Sequence, residues 1–136
     1  THSAAETEAV GCRLASRCKG GTVVAFFGGL GMGKTAFVRG MAQALCPEAE
    51  VSSPTFAIVN DYGGQPPLVH FDMYRIDDGD SLYSMGYYDY LESGGICFAE
   101  WCEKIPYALP LHYLRITITK NDAACPDSRE IRIERI

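Results

Sequence analysis

Residues 28–35, GGLGMGKT, lie between the apolar run TVVAFF at 22–27 and a stretch patterned as a helix over 33–45. Four glycines, Gly28, Gly29, Gly31 and Gly33, fall within six residues. Glycine gives up more conformational freedom on folding than any other residue, so such a cluster is unfavourable unless the backbone itself has a task. The stretch fits G-x-x-x-x-G-K-[ST], with Gly28, Gly33, Lys34 and Thr35 in the fixed places. With glycine near 7% of residues, a chance match in a chain this long is on the order of one in a few hundred. A continuous β-branched and aromatic run is what a strand covered on both faces requires. The chain is therefore expected to build a sheet with this strand inside it and the following helix packed on one side.

The chemistry of the loop follows from its parts. Glycines let successive backbone N–H groups turn inward around phosphate oxygens. The helix behind adds its unpaired N–H groups and the positive end of its dipole. Lys34 is placed to bridge the β- and γ-phosphates, and the Thr35 hydroxyl to bind Mg²⁺. The bland reading, a glycine-rich turn with an exposed lysine, does not explain the strand before it and the helix after it. The pattern points to ATP or another nucleoside triphosphate, held through Gly28, Leu30, Gly31, Met32, Gly33, Lys34, Thr35 and Ala36.

The other elements bound the architecture. With 136 residues there is room for one domain, spanning 1–136. Residues 5–17 have helical spacing. Residues 56–62 and 68–72 read as strands around GGQPP, and five residues cannot cross over to a parallel neighbour, so this pair is an antiparallel hairpin. Residues 81–91 form a tyrosine-rich helix with a break near Gly86, in which Tyr87, Tyr88 and Tyr90 pack against the sheet. Residues 96–99 are a short buried strand, and 114–119 and 130–136 alternate apolar and polar residues as half-buried strands do. The expected fold is α/β: a single-domain P-loop NTPase with a mixed sheet, mostly parallel with antiparallel hairpins, flanked by helices. The strand order is not given.

Composition narrows the class. A net charge of −5 argues against a broad basic face for nucleic acid. No apolar run approaches the roughly 20 residues of a membrane span, and the first residues lack a signal-peptide pattern, so a cytoplasmic protein is expected. None of the six cysteines forms a C-x-x-C pair; free, mostly buried thiols acting as small hydrophobes are expected. The histidines show no ligand spacing.

Phosphate chemistry of this kind requires a further acid at the end of an apolar strand. Two are present: LVHFD ending at Asp72 and ICFAE ending at Glu100. Either also suits a strand-end carboxylate capping the next helix, and the pattern does not say which faces a metal. His70 alternates with Asp72 on one strand face, as a structural histidine or a hydrogen-bond partner near the site.

The chain resembles TsaE, a family of small bacterial P-loop ATPases of tRNA threonylcarbamoyladenosine biosynthesis. The resemblance is carried by GGLGMGKT at 28–35, SPTF at 53–56, HFDMYR at 70–75, GYYDYL at 86–91 and AEW at 99–101, in that order. Gly29 and Met32 depart from the usual G-D-L-G-A-G-K-T, at variable places of the loop. The resemblance implies that Glu100 joins Thr35 as a magnesium ligand. It implies that Asp72 is the acid needed for hydrolysis. Ser53 and Thr55 would form a switch-like segment near the γ-phosphate, Arg129 would lie near the nucleotide, and residues 3–5, with Ala4, beside the adenine. Trp101 would be the aromatic partner after the magnesium acid. The family works with two proteins, TsaB and TsaD, and its ATPase cycle resets their complex between turnovers. tRNA would then be served indirectly.

Two other classes fit parts of the pattern. A small-metabolite kinase shares the loop but usually adds an acceptor domain and an arginine-bearing lid. A nucleotide-binding interaction module has no need of Asp72.

Overall fold

The computed structural model describes residues 1–29, 32–51, 59–76, 78–120 and 123–136. Leu30 and Gly31 of the loop, Ser53 and Thr55, and the first residues of the strand expected from 56 lie outside the described residues.

The expected strand at 22–27 is β1 (Val23–Phe27), and it lies inside a six-stranded sheet. The order is β2-β3-β4-β1-β5-β6, with β2 at Val59–Gly63, β3 at Leu68–Asp72, β4 at Ile96–Glu100, β5 at Leu114–Thr119 and β6 at Glu130–Arg135. β1 pairs in parallel with β4 and β5, and β3 in parallel with β4. The β2–β3 and β5–β6 pairs are antiparallel, because their connections are too short to cross over. The sheet is thus mixed and mostly parallel.

Helices cover both faces, which is why β1, β3 and β4 read as nearly continuous apolar runs. One face, with Val24, Phe26, Leu68, Phe98 and Ile116, receives α1 (Ala4–Ala15) and α2 (Lys34–Leu45). Phe37 of α2 meets Phe26 edge to face at 5.4 Å, and each buried ring contributes roughly 1.5–3 kcal/mol through burial alone. The other face, with Val69, Phe71, Cys97 and Ala99, receives α3 (Gly79–Ser84), α4 (Tyr87–Glu92) and two 3₁₀ turns at Cys102–Lys104 and Pro106–Ala108. The expected break at Gly86 is real. This glycine has φ 80° and divides α3 from α4. Tyr87 is buried and Tyr90 is part-buried, both edge-on to Phe71, whereas Tyr88 is 38% exposed and does not pack as expected.

α1 lies unusually close to α2. A Cβ on Gly11 would sit 2.3 Å from the Phe37 carbonyl oxygen, and one on Gly40 only 1.9 Å from that of Glu8. This approach places the N-terminal turn of α1 beside the glycine loop. The cysteines are all free, as expected, but only Cys97 and Cys102 are buried; Cys12, Cys18 and Cys46 are part-buried and Cys125 is exposed. The thiols are therefore less uniformly buried than their small apolar character suggests. Among the described residues, no helix is long and apolar enough to cross a membrane.

Candidate functional site

The site lies at the C-terminal ends of β1, β3 and β4. Register brings them level: Asp72 is opposite Glu100, and Glu100 is opposite Phe26, two residues before Gly28. Gly28 has φ 132°, and a Cβ there would stand 2.5 Å from the Ile118 carbonyl oxygen, so the turn leaves β1 flat against β5 only because position 28 has no side chain. Gly33, with φ 98°, is the N-cap of α2 in the left-handed region and supplies no side-chain cap. The helix expected from Gly33 begins one residue later because this residue makes the turn. The first N–H groups of α2 are thus left without a side-chain cap, the arrangement in which a helix N-terminus binds an anion. Thr35 and Ala36, in its first turn, are part-buried.

Lys34 is only 7% exposed. Its Nζ donates to the Gly28 carbonyl at 3.1 Å and lies 4.4 Å from the centroid of the Trp101 ring. Trp101 has φ 61°, a backbone conformation that costs a bulky residue about 1–3 kcal/mol, and its ring meets Tyr74 at 5.1 Å. The loop lysine is therefore held by an aromatic face and one carbonyl, with no described carboxylate paired to it by a salt bridge.

Both candidate acids are here and buried: Asp72 is 7% and Glu100 4% exposed. Asp72 Oδ1 accepts the Tyr74 backbone N–H at 2.9 Å, which fixes the carboxylate as β3 ends. Glu100 Oε1 lies 3.4 Å from His70 Nε2 and has no hydrogen-bond partner among the described residues. The Met73 N–H donates to the Glu100 carbonyl at 2.9 Å, tying the two strand ends together.

Arg129 stands on the far side of the loop. Its Nε donates to the Met32 carbonyl at 3.1 Å, and its backbone N–H and carbonyl both pair with Thr1, each at 2.8 Å. Ser3 caps α1 by accepting the Glu6 N–H at 3.1 Å, so Ala4 opens that helix. The buried Thr7 places its methyl 3.9 Å from where a Cβ of Gly33 would be. The structure thus gathers Gly28, Met32, Gly33, Lys34, Thr35, Asp72, Glu100 and Arg129 about one loop, with Ala4 on the adjacent helix. Leu30, Gly31, Ser53 and Thr55 lie outside the described residues.

Some participants gave no sequence signal. Glu103 Oε1 accepts the Gly28 N–H at 3.4 Å, and Thr7 and Thr1 join the wall on the Arg129 side. Cys102, near Lys34, is pushed up to about 12 by burial first and by the charge of Glu103, with Lys34 opposing. It stays a thiol and is no nucleophile at neutral pH.

Among the described residues no three or more His, Cys, Asp or Glu side chains gather as for a metal ion. Magnesium in phosphate sites needs fewer, one or two side chains completed by phosphate oxygens and water. The buried Glu100 carboxylate, with Thr35 on the first turn of α2, is chemically suited to that role. An open groove of about 750 Å³, lined by residues including Leu14, Arg17, Val23 and Ile133, lies at the opposite end of β1 and contains none of the candidate residues. A glycine cradle presents N–H groups rather than a deep concavity, so the groove does not displace it as the candidate.

Residues 1–131 match the family described as "Threonylcarbamoyl adenosine biosynthesis protein TsaE". The chain is 39% identical over 127 residues to the tRNA threonylcarbamoyladenosine biosynthesis protein TsaE of Bacillus subtilis strain 168, covering 93% of this chain and 77% of that protein. It is 32% identical over 118 residues to the protein of that description from Treponema pallidum, covering 87% of each. The solved structure described as "Crystal structure of Bacillus subtilus YdiB" superposes with a TM-score of 0.78 at 33% identity, over 96% of this chain and 79% of that one. The chain belongs to the TsaE family, P-loop NTPases involved in threonylcarbamoyladenosine biosynthesis on tRNA.

Proposed function

We propose that the chain is a Mg²⁺-dependent ATPase subunit, slow alone, that acts in the cytoplasm with TsaB and TsaD and resets their complex between rounds of tRNA modification. The observation that carries this reading is the convergence of a buried lysine, Lys34, and two buried carboxylates, Asp72 and Glu100, at the C-terminal ends of the strands around a helix N-terminus without a side-chain cap. A binding module has no use for the second acid.

The roles follow from position. Backbone N–H groups at the start of α2 hold phosphate oxygens. Lys34 leaves the Gly28 carbonyl and the Trp101 face to meet triphosphate charge, a short movement for a side chain already desolvated. Thr35 and Glu100 would hold Mg²⁺, which supplies neutralisation of the phosphate charge when bound. Asp72, braced by the Tyr74 N–H, orients the attacking water or its hydrogen-bond network. Arg129 and the first turn of α1, with Ala4, line the side where the base would lie.

Slow hydrolysis alone follows from the arginines. Arg39 is paired with Glu8 at 2.9 Å, Arg129 donates to the carbonyls of Met32, Pro126 and Ser128, and Arg75 lies past Asp72, beyond the end of β3. None of the three is taken as a finger in this reading, and lack of one costs roughly 10³–10⁵ in rate. The test is phosphate release in single turnover, alone and with TsaB and TsaD. The complex should be at least tenfold faster, and Lys34→Ala should abolish nucleotide binding by calorimetry. Equal rates alone and in complex would defeat the partner-controlled reading. Transfer to a small metabolite would favour a kinase.

A further inference from the structure

We infer that His70 is a positioning residue for the metal-side carboxylate: its Nε2 steadies Glu100 from within the sheet, leaving the other carboxylate oxygen to the metal. This rests on the reading of Glu100 as a magnesium ligand.

His70 lies on β3 opposite Phe98 of β4, on the face that also carries Asp72 and Glu100. Its side chain is wholly buried, and Nε2 reaches along the face to within 3.4 Å of Glu100 Oε1. The ring is confined. It meets Phe98 edge to face at 6.4 Å and Tyr62 at 6.5 Å. Neither His70 nitrogen nor Glu100 Oε1 has a hydrogen-bond partner among the described residues. A buried polar atom left without a partner is costly. The neighbours Leu68 and Phe98 are apolar and wholly buried, so an apolar side chain would suit this position better if packing were its only task. Among the described residues, the ion-pair contact of His70 is with Glu100, while Asp72 Oδ1 accepts the Tyr74 N–H. At 3.4 Å the pair stands just beyond the usual 2.7–3.2 Å for N–H···O, and a small rotation of the carboxylate closes the bond. Partners of this kind fix the direction of a ligating carboxylate, and their loss typically costs 10–100-fold in metal affinity.

The experiment is calorimetry of the 136-residue chain with a non-hydrolysable ATP analogue, with Mg²⁺ and with EDTA; the ratio of the two dissociation constants measures the magnesium coupling. His70→Phe keeps a ring and removes the donor. It should lower the coupling at least tenfold while the EDTA constant stays within twofold. His70→Gln puts an amide nitrogen at about the reach of Nε2 and should restore most of the coupling. His70→Asn is equally polar but too short and should not. The Gln and Asn pair carries the comparison if the Phe variant fails to fold. Unchanged coupling in His70→Phe, equal losses with and without Mg²⁺, or Gln and Asn behaving alike would overturn the inference. Wild-type protein that binds the nucleotide with no magnesium coupling would overturn this inference and the magnesium reading together. Coupling in wild type that survives in the Phe variant would overturn this inference alone.

Discussion

Replacing Gly40 by alanine puts one methyl group against backbone. The new Cβ would stand 1.9 Å from the Glu8 carbonyl oxygen, 2.6 Å from its carbon and 2.7 Å from the Glu8 Cα. Ordinary contact begins near 3.4 Å, so α1 must retreat by about 1.5 Å. No rotamer relieves the clash, since the obstacle is main chain in the middle of a helix. Retreat loosens the packing of Thr7, Gly11 and Ala15, the buried residues of α1. Overpacking of this kind costs about 3 kcal/mol at the upper end of the usual range. Alanine returns about 1 kcal/mol through helix propensity, leaving a net loss of about 2 kcal/mol. At about 2.1 cal/mol/K of unfolding entropy per residue, 136 residues convert that to a fall in Tm of roughly 7 °C. Scanning calorimetry measures it, with Gly79→Ala as the control. Gly79 opens α3, has no atom within 4 Å of a new Cβ and no left-handed backbone, so its replacement should leave Tm unchanged or slightly raised. A Gly40→Ala protein as stable as wild type would refute the steric account of the α1–α2 contact.

Two other outcomes are expected. Asp72→Asn should leave nucleotide affinity within about twofold while lowering hydrolysis at least a hundredfold, as for a group used mainly in the transition state; comparable losses in both, measured by calorimetry and single-turnover assay, would make Asp72 a binding residue. Burial pushes the Cys97 and Cys102 thiols up to about 11 and about 12, so at pH 8 iodoacetamide should label exposed Cys125 in the native protein and spare both, as peptide mass mapping would show. Because the folded protein keeps these protons longer than the unfolded chain, their contribution to stability is full below about pH 9 and declines as pH rises towards about 11–12. Denaturant midpoints that rose over that interval would contradict the sign.

Local patterns carried much of this fold. The run before Gly28 and the spacing after Gly33 give a strand, a turn and a helix because each signal lies within a dozen residues. The hairpin at β2–β3 follows from a connection too short to cross over. The strand order does not follow, since β1 pairs with β4 and β5, which begin about 70 and 90 residues later, and nothing near β1 specifies them. The same limit applies to the site. Asp72 and Glu100 were both recognisable as strand-end acids, but that one stands opposite the other is a property of register. The Trp101 face beneath the Lys34 ammonium depends on a left-handed turn at a residue type that seldom makes one. Tyr88 is the same residue type as the adjacent Tyr87, yet it is exposed, because a six-residue helix buries only one side.

The central place of β1 has a consequence for synthesis. Its partners are made later, and the shape of the loop waits as well, since Gly28 rests against Ile118 of β5. At 5–20 residues per second, a ribosome takes roughly 5–20 s to pass from Phe27 to Thr119. Until β4 is made, Val23–Phe27 is an apolar, charge-free strand with no partner on either edge, and until β5 is made one edge still lacks its partner, the kind of segment on which chains aggregate. A nascent chain of this protein would therefore be a client for a ribosome-associated holdase until β5 emerges, and slowing translation between β1 and β5 should lower its soluble yield.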